Sequence, residues 1–248
     1  MLLGVVALGL YAAAGFFSRD PVRLFNVPLA PTSGAAPARP SFAVLLFSGD
    51  MGLGFGMSPA ILDALVPRGI PIVAIASSTR FARHHDRAGI DAAVADAVRA
   101  ALARTGARQL VVIGQSFGAD IVRVGLVDLP ADLRRHIAGA VLVVPGSDAY
   151  FRADPIGIAY WGKPEADAAD ARRLDWLPLV CIGGTAERDS LCPSLTMPNV
   201  RIRMLAGDHY LGHDPAPMQR TLLAELALLP ALKQERGPAG TPRPQAGN

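Results

Sequence analysis

An α/β fold, with a mostly parallel sheet covered by helices on both faces, is predicted by two features of the sequence. Its apolar runs are short and continuous rather than alternating, which is typical of strands that are buried on both faces. Segments with helical spacing lie between these runs, as the connections between parallel strands require. The chain has 248 residues, of which 51% are hydrophobic, and this suits one such domain with short appendages.

The strands and helices of this domain alternate along the chain. Strands are predicted where the apolar runs occur, at residues 42–47, 70–76, 109–113, 137–144, 179–183 and 200–205. Helices are predicted from apolar spacing at residues 57–68, 91–105, 119–127 and 219–229. Gly69 and Gly106 end the first two helices. Ligands of such sheets bind beyond the carboxyl ends of the strands, so we expect functional residues in the loops that follow the strands.

The segments outside this domain differ from it in composition. Residues 28–40 are rich in Pro, Ala and Gly, which indicates a linker over residues 21–40. The folded domain is predicted over residues 41–233. The tail at residues 234–248 has a similar composition to the linker and is expected to be disordered.

Residues 1–17 and two cysteines bear on the compartment in which the protein acts. Residues 1–17 are apolar and uncharged, so residues 1–20 are predicted to be a signal peptide or a membrane anchor, with a buried core helix as the alternative. Cys181 and Cys192 form a disulfide if the chain is exported, or remain two buried thiols if it is not. We expect a periplasmic protein that the N-terminal segment anchors to the inner membrane if it is not cleaved.

The charges and histidines exclude several classes of function. The net charge is +3, with 24 Lys and Arg against 21 Asp and Glu, and without a basic cluster we expect no nucleic-acid partner. His84 and His85 are adjacent and therefore point apart, without the carboxylate spacing of a zinc site. Neither a metal nor another cofactor is expected.

The strongest motif is Gly114-Gln115-Ser116-Phe117-Gly118, which matches the pattern Gly-x-Ser-x-Gly between a predicted strand and a predicted helix. This is the context of a nucleophile elbow, in which the glycines allow a tight turn that lifts the serine hydroxyl above the sheet. The helix N-terminus then points its amides at a developing oxyanion. A glycine-rich turn that binds phosphate is the alternative. The motif predicts an α/β-hydrolase fold with Ser116 as the nucleophile.

A serine nucleophile needs a base and an acid, which follow it in the chain in this fold. His209 comes directly after the last predicted strand and is the expected base, with His213 in reserve. The acid is expected after the strand at residues 179–183, where Glu187 and Asp189 both lie. Asp189 is preferred because a short side chain ahead of a Leu-Cys-Pro segment suits a carboxylate that is fixed by a turn. Its role is to hold the imidazole tautomer.

The oxyanion hole is expected to combine two backbone amides. One belongs to Phe117, the residue after the nucleophile. The other comes from the glycine-rich loop at residues 48–56, from Asp50 or Met51. The side chain of Asp50 either contacts a cationic part of a substrate or caps the next turn.

Five segments of the sequence, in their order along the chain, resemble the bacterial virulence protein family of VirJ and AcvB over about residues 42–229, in the shorter VirJ-like form. They are LLFSGDMG, RGIPIVAI, VVIGQSFGADI, CIGG with ERDSLCP, and AGDHY. The resemblance implies an exported α/β-hydrolase domain with Ser116, Asp189 and His209 as its triad and a disulfide between Cys181 and Cys192.

The resemblance also implies a substrate, which is aminoacylated phospholipid and in particular lysyl-phosphatidylglycerol at the membrane surface. Asp50, Asp148 or Glu187 would receive the lysyl ammonium. A general carboxylesterase or lipase is the alternative enzyme. A non-catalytic partner of a secretion system or of another periplasmic protein is the alternative outside enzymology.

Overall fold

A seven-stranded sheet forms the centre of the computed structural model, which describes residues 2–27 and 40–229. Its strands are β1 (Val22–Phe25), β2 (Phe42–Phe47), β3 (Ile72–Ile75), β4 (Gln109–Gln115), β5 (Ile137–Val143), β6 (Leu179–Gly184) and β7 (Val200–Leu205). They lie in the order β1-β3-β2-β4-β5-β6-β7, with β1 antiparallel to β3 and every other pair parallel. The predicted α/β fold with a mostly parallel sheet is confirmed.

The helices of the described residues are α1 (Leu2–Ala13), α2 (Ser58–Leu65), α3 (Ser77–Arg80), α4 (Arg87–Thr105), α5 (Phe117–Gly125), α6 (Ala131–Arg134) and α7 (Pro215–Leu228), and short 3₁₀ turns lie between them. Helices α4 and α5 cover one face of the sheet, and α2 and α7 cover the other. Side chains cap the two long helices. Asp86 accepts from the Gly89 amide (2.8 Å) at the start of α4, and Asp214 accepts from the Ala216 amide (3.0 Å) at the start of α7.

The core consists of two apolar layers, one on each face of the sheet. Successive strand residues point to opposite faces, so Leu45 packs on the side of α4 and α5 while Val44 packs on the side of α2 and α7. Both side chains are fully buried. Continuous apolar strands were therefore the correct signal for a sheet without a solvent-exposed face.

The N-terminal region differs from the sequence-based prediction. Residues 22–25 pair with β3 as an edge strand and are not part of a linker, while residues 28–39 and 230–248 lie outside the described residues. The alternative of a buried core helix at the N-terminus does not hold for α1, because Val6 and Leu8 are more than half exposed. Within residues 2–27 and 40–229, no helix has the length and apolarity needed to span a bilayer.

Candidate active site

Ser116 lies at the sharp turn between β4 and α5, where its backbone adopts φ +52° and ψ −125°. A positive φ is costly for a residue with a side chain and is found where the surrounding structure enforces it. The Ser116 amide donates to the Val143 carbonyl at 2.8 Å, which fixes the turn against β5. A Cβ on Gly114 would lie 2.5 Å from the Ala119 Cα, so only glycine fits there. The turn is therefore the strained elbow that the motif predicts.

The hydroxyl of Ser116 lies in a chain of hydrogen bonds with an imidazole and a carboxylate. Ser116 Oγ is 2.8 Å from His209 Nε2, and His209 Nδ1 is 2.5 Å from Glu187 Oε1. The Glu187 side chain is 4% exposed. The loops that carry the imidazole and the carboxylate are themselves joined, because the Ala186 amide donates to the Gly207 carbonyl at 2.8 Å. Ser116, His209 and Glu187 thus stand in the arrangement of a serine hydrolase triad.

The carboxylate at the imidazole is Glu187, and not Asp189 as the sequence suggested. The backbone of Asp189 is bound elsewhere, since its carbonyl accepts from the Ser147 amide at 2.7 Å and the next residue bridges to Gly146. That pairing leaves the Asp189 side chain exposed on the cavity wall. The Glu187 amide instead donates to the Gly184 carbonyl at 3.2 Å, in a tight turn after β6. From this turn, the Glu187 carboxylate reaches the imidazole of His209.

His213, the reserve base, does not approach Ser116. Its ring stacks on Tyr210 with the centroids 5.3 Å apart. The backbone of His213 has φ +58° and lies in a short turn before α7. Of these two histidines, the structure thus places only His209 within hydrogen-bond distance of Ser116.

The glycine-rich loop after β2 lies beside Ser116, and a buried glutamine holds it there. Gln115 Oε1 accepts from the Gly49 amide and from the Ser58 hydroxyl, each at 3.0 Å. This contact was not predicted, because Gln115 occupies a variable position of the motif. Asp50 and Met51 line the space next to Ser116, and Phe117 begins α5. The three residues expected to form the oxyanion hole are therefore grouped around Ser116.

Ser116 lines a cavity of about 390 Å³ whose other lining residues include several carboxylates. None of the described residues lining it is a lysine or arginine. Its carboxylates are Asp50, Asp120, Asp148, Glu187 and Asp189, and its tyrosines are Tyr150, Tyr160 and Tyr210. We refer to it as the carboxylate cavity. Of the carboxylates, the sequence analysis had named all except Asp120.

Burial changes the acidity of two of these carboxyl groups. Desolvation raises the pKa of Asp50, although a hydrogen bond from the Tyr160 hydroxyl (2.8 Å) acts in the opposite direction. Desolvation also raises the pKa of Asp120 to about 7, against the attraction of the fully buried Arg123. A cation in the cavity would favour the ionised form of both groups. Entry of a cationic ligand would therefore lower the pKa of both carboxyl groups.

Arg123 also ties together the loops that form one wall of the cavity. Its guanidinium donates to the carbonyls of Asp167 (2.8 Å) and Ser147 (2.9 Å). Asp120 in turn accepts from the Gly146 amide at 3.0 Å. No local pattern indicates this role, since Arg123 lies on the helix after the elbow and its partners lie 24 and 44 residues away.

A disulfide closes the segment that carries the acid. Cys181 on β6 is bonded to Cys192, with the Cα atoms 5.5 Å apart, as the family resemblance implied. The bridge spans both Glu187 and Asp189 and attaches the end of their loop to the sheet. Closing so short a loop restricts the unfolded chain and limits how far Glu187 can move from the His209 imidazole.

The sequence model of the family described as Bacterial virulence protein (VirJ) matches residues 41–228. This chain belongs to the VirJ family. The match covers the whole sheet except β1, together with all three residues of the Ser116–His209–Glu187 chain. A search of curated proteins found no match.

Solved structures similar to this VirJ-family protein have the α/β-hydrolase fold, at sequence identities that establish the fold alone. Est1E from Butyrivibrio proteoclasticus, in a structure with ferulic acid bound, is 9% identical with a TM-score of 0.57, covering 84% of this chain and 95% of its own. Carboxylesterase CesB from Bacillus subtilis is 14% identical with a TM-score of 0.54, over 91% and 99% of the two chains. Naproxen esterase from Bacillus subtilis is 11% identical with a TM-score of 0.53, over 90% and 98%.

If this VirJ-family site uses His209 as a base, the surroundings of the imidazole predict how the reaction depends on pH. Burial lowers the pKa of the imidazole, but the hydrogen bond that His209 donates to Glu187 and the charges of Glu187, Asp120 and Asp189 raise this pKa above the ordinary 6.5. A general base works in its deprotonated form. We therefore expect kcat/KM for an uncharged soluble ester to rise with pH through an apparent pKa above 6.5. Asp120 titrates nearby, so this value belongs to the coupled pair.

A pair of variants tests this cause. Asp189→Asn removes one of the charges that raise the His209 pKa, so the acid limb of the profile should move to lower pH. Asp148→Asn removes an exposed carboxylate of the same cavity that is not among those charges, and should leave the limb in place. A wild-type limb at or below pH 6.5 would contradict the assignment.

Proposed function

We propose that this protein is a serine ester hydrolase that releases the aminoacyl group from aminoacylated phospholipid, with lysyl-phosphatidylglycerol as the first candidate. One observation carries the proposal: the hydrogen-bonded chain from Ser116 through His209 to Glu187 opens into the carboxylate cavity. The chain supplies acyl-transfer chemistry. The cavity supplies a reason why the acyl group should be cationic. The family membership agrees with both.

The reaction follows from the positions of these groups. Ser116 Oγ attacks the ester carbonyl while His209 Nε2 takes its proton, and Glu187 stabilises the imidazolium that forms. The amide of Phe117 and an amide of the Asp50–Met51 segment receive the oxyanion. The phosphatidylglycerol hydroxyl then leaves with the proton from His209. Water, activated by the same imidazole, releases the amino acid from Ser116.

The carboxylates favour an acyl group that carries ammonium charge. Every aminoacyl ester has an α-ammonium next to the scissile bond, and a lysyl group adds a second cation at its end. Asp50 is best placed for a cation, since it lies on the loop beside Ser116 and is partly buried. Asp148 is exposed and lies farther out on the wall. An anionic phosphodiester is repelled by the same charges, so the lipid part of the substrate would stay at the mouth.

The proposed location is the periplasm, with the N-terminal segment at the inner membrane. The disulfide between Cys181 and Cys192 supports an oxidising compartment. Helix α1 supports contact with lipid, because Val6, Leu8 and Leu10 are exposed apolar side chains. Aminoacylated phospholipids would be present at that surface.

The purified protein should release free lysine from lysyl-phosphatidylglycerol in mixed micelles and leave phosphatidylglycerol behind. If Asp50 binds the ε-ammonium, Asp50→Asn should raise KM for this substrate by about three- to tenfold, as expected for the loss of a partly desolvated ion pair. The same variant should have a smaller effect on alanyl-phosphatidylglycerol, which lacks that cation. Asp132→Asn is the matched control, since Asp132 is an exposed carboxylate on α6 outside the cavity.

Two results would overturn parts of the proposal. Equal effects of Asp50→Asn on the two lipids would remove Asp50 from recognition of the ε-ammonium. An enzyme that cleaves short acyl esters and leaves both lipids untouched would instead be a general carboxylesterase. A fluorophosphonate probe that fails to label Ser116 would favour a non-catalytic partner of a secretion system or of another periplasmic protein.

A further inference from the structure

A short loop beside the carboxylate cavity exposes three large apolar side chains. Trp161 is 84% exposed, Ile158 54% and Ile156 37%. They lie within six positions of one another, in and just before a 3₁₀ turn between β5 and β6. Scattered apolar residues are ordinary on protein surfaces, but a cluster of this kind marks an interaction site. We call these three residues the apolar rim.

The apolar rim is held in place by a buried carboxylate. Asp154 is 3% exposed, and it accepts hydrogen bonds from the Ile156 amide (3.2 Å) and the Ala159 amide (2.8 Å). Gly157 supplies the positive φ of +75° that the turn needs. A loop fixed at its base in this way presents its side chains outward without a large entropic cost on binding.

The rim adjoins the mouth of the carboxylate cavity. Tyr160 lies between Ile158 and Trp161 in the chain, and its side chain turns inward to line the cavity. Its hydroxyl donates to Asp50 at 2.8 Å and accepts from the Asp154 amide at 3.1 Å. One loop therefore contributes both a wall of the cavity and an exposed apolar surface next to it.

Helix α1 meets the same loop from the other side. The Tyr11 hydroxyl donates to Asp154 Oδ1 at 2.6 Å, and this oxygen also accepts from the Ile156 amide. The carbonyls of Ala14 and Gly15 accept from Ser78 and Thr79, so the end of the helix is fixed to the domain. Helix α1 and the loop of the apolar rim are thus joined through Asp154.

The charges that flank the rim indicate the partner. Arg152 and Lys163 are exposed and precede and follow Ile156, Ile158 and Trp161 in the chain. Tryptophan favours the boundary between water and hydrocarbon, and cations beside an apolar surface favour anionic headgroups. Binding to a protein partner would not require an exposed tryptophan together with cations beside a cavity for a lipid-linked substrate, so these features favour a membrane surface.

We infer that the apolar rim inserts into the surface of a bilayer containing anionic phospholipid, which brings the mouth of the carboxylate cavity to the level of the headgroups. This inference deepens the proposed function and rests on it for its purpose, although the binding itself is measured without any reaction. The aminoacyl ester would then reach Ser116 while its acyl chains remain in the membrane.

The first experiment measures binding to vesicles of phosphatidylglycerol and phosphatidylcholine by co-sedimentation. We expect Trp161→Ser to weaken the binding of the full chain by about tenfold, which corresponds to about 1.4 kcal/mol. Leu228→Ser is the matched control, because Leu228 is 42% exposed at the end of α7 and should not affect binding. Circular dichroism establishes that each variant is folded. Wild-type protein that does not sediment with these vesicles, or Trp161→Ser protein that binds as well as wild type, overturns the inference.

A second measurement separates the rim from helix α1. The chain has two tryptophans, so the fluorescence difference between wild type and Trp161→Phe isolates the emission of Trp161. This emission should shift to shorter wavelength with vesicles and be quenched by brominated lipids. An unchanged emission on bound protein would show that a surface other than the rim, such as α1, binds the vesicles, and would overturn the role of the rim. If Trp161 inserts into vesicles but the protein releases no lysine from the micelles, the membrane-binding role of the rim stands and the proposed substrate is refuted.

Discussion

Replacing Ser116 with alanine should lower kcat for ester hydrolysis by at least about 10³-fold, as loss of a triad nucleophile does in serine hydrolases. The hydroxyl is 2.8 Å from His209 Nε2 and is the group that would form the acyl-enzyme. Without it, no covalent intermediate can form, while the oxyanion hole and the cavity remain. The measurement is the steady-state rate on a soluble ester, together with active-site labelling of both proteins.

The protein should remain folded, because the change to alanine removes only one oxygen atom and the backbone of the elbow keeps its contacts. Ser147→Ala is the matched control, since Ser147 lines the same cavity and its contact with Asp189 is made by the backbone. We expect this control to retain most of the wild-type kcat. If Ser116→Ala keeps more than about a tenth of wild-type kcat in a pure preparation, Ser116 is not the nucleophile.

The parts of the fold that could be predicted are those in which local sequence and tertiary burial require the same residues. Strand β2 is a continuous apolar run because both faces of a parallel sheet are covered, so its pattern was visible in the sequence. Strand β1 was missed because it has four residues, lies at the edge of the sheet and has two exposed positions, Arg23 and Leu24. Residues 22–25 form a strand because they pair with β3, and their own composition does not predict one.

The same distinction applies to the candidate site. The elbow at Ser116 is specified within five adjacent residues, and His209 is specified by its place after the last strand, so sequence could locate both. The roles of Asp120 and Tyr160 depend on partners far along the chain, namely Gly146 for Asp120 and Asp50 for Tyr160, which is 110 residues away. No local pattern encodes such contacts. For the same reason, sequence alone could not decide between Glu187 and Asp189 as the partner of His209, because the answer depends on where the loop after β6 places each carboxylate.

Glu187→Gln should lower kcat by about 10³- to 10⁴-fold, the usual cost of losing the triad carboxylate. Glutamine has nearly the size of glutamate, so a side chain that is 4% exposed is replaced without leaving a cavity. It can still hydrogen-bond to His209 Nδ1, but it carries no negative charge to stabilise the imidazolium. Its amide can also donate to Nδ1 and so favour the wrong tautomer of the imidazole.

Asp189→Asn is the decisive comparison, because it removes the carboxylate that the sequence favoured and that the structure places on the cavity wall. We expect kcat to change by less than about tenfold, since Asp189 acts on His209 only as a nearby charge. KM for a lysyl ester should rise, because the cavity loses negative charge. Circular dichroism and a thermal melt would establish that both variants are folded. If Asp189→Asn proved the more damaging of the two to kcat, the carboxylate that serves His209 during the reaction would be Asp189, and the loop closed by the disulfide would have to shift when substrate binds.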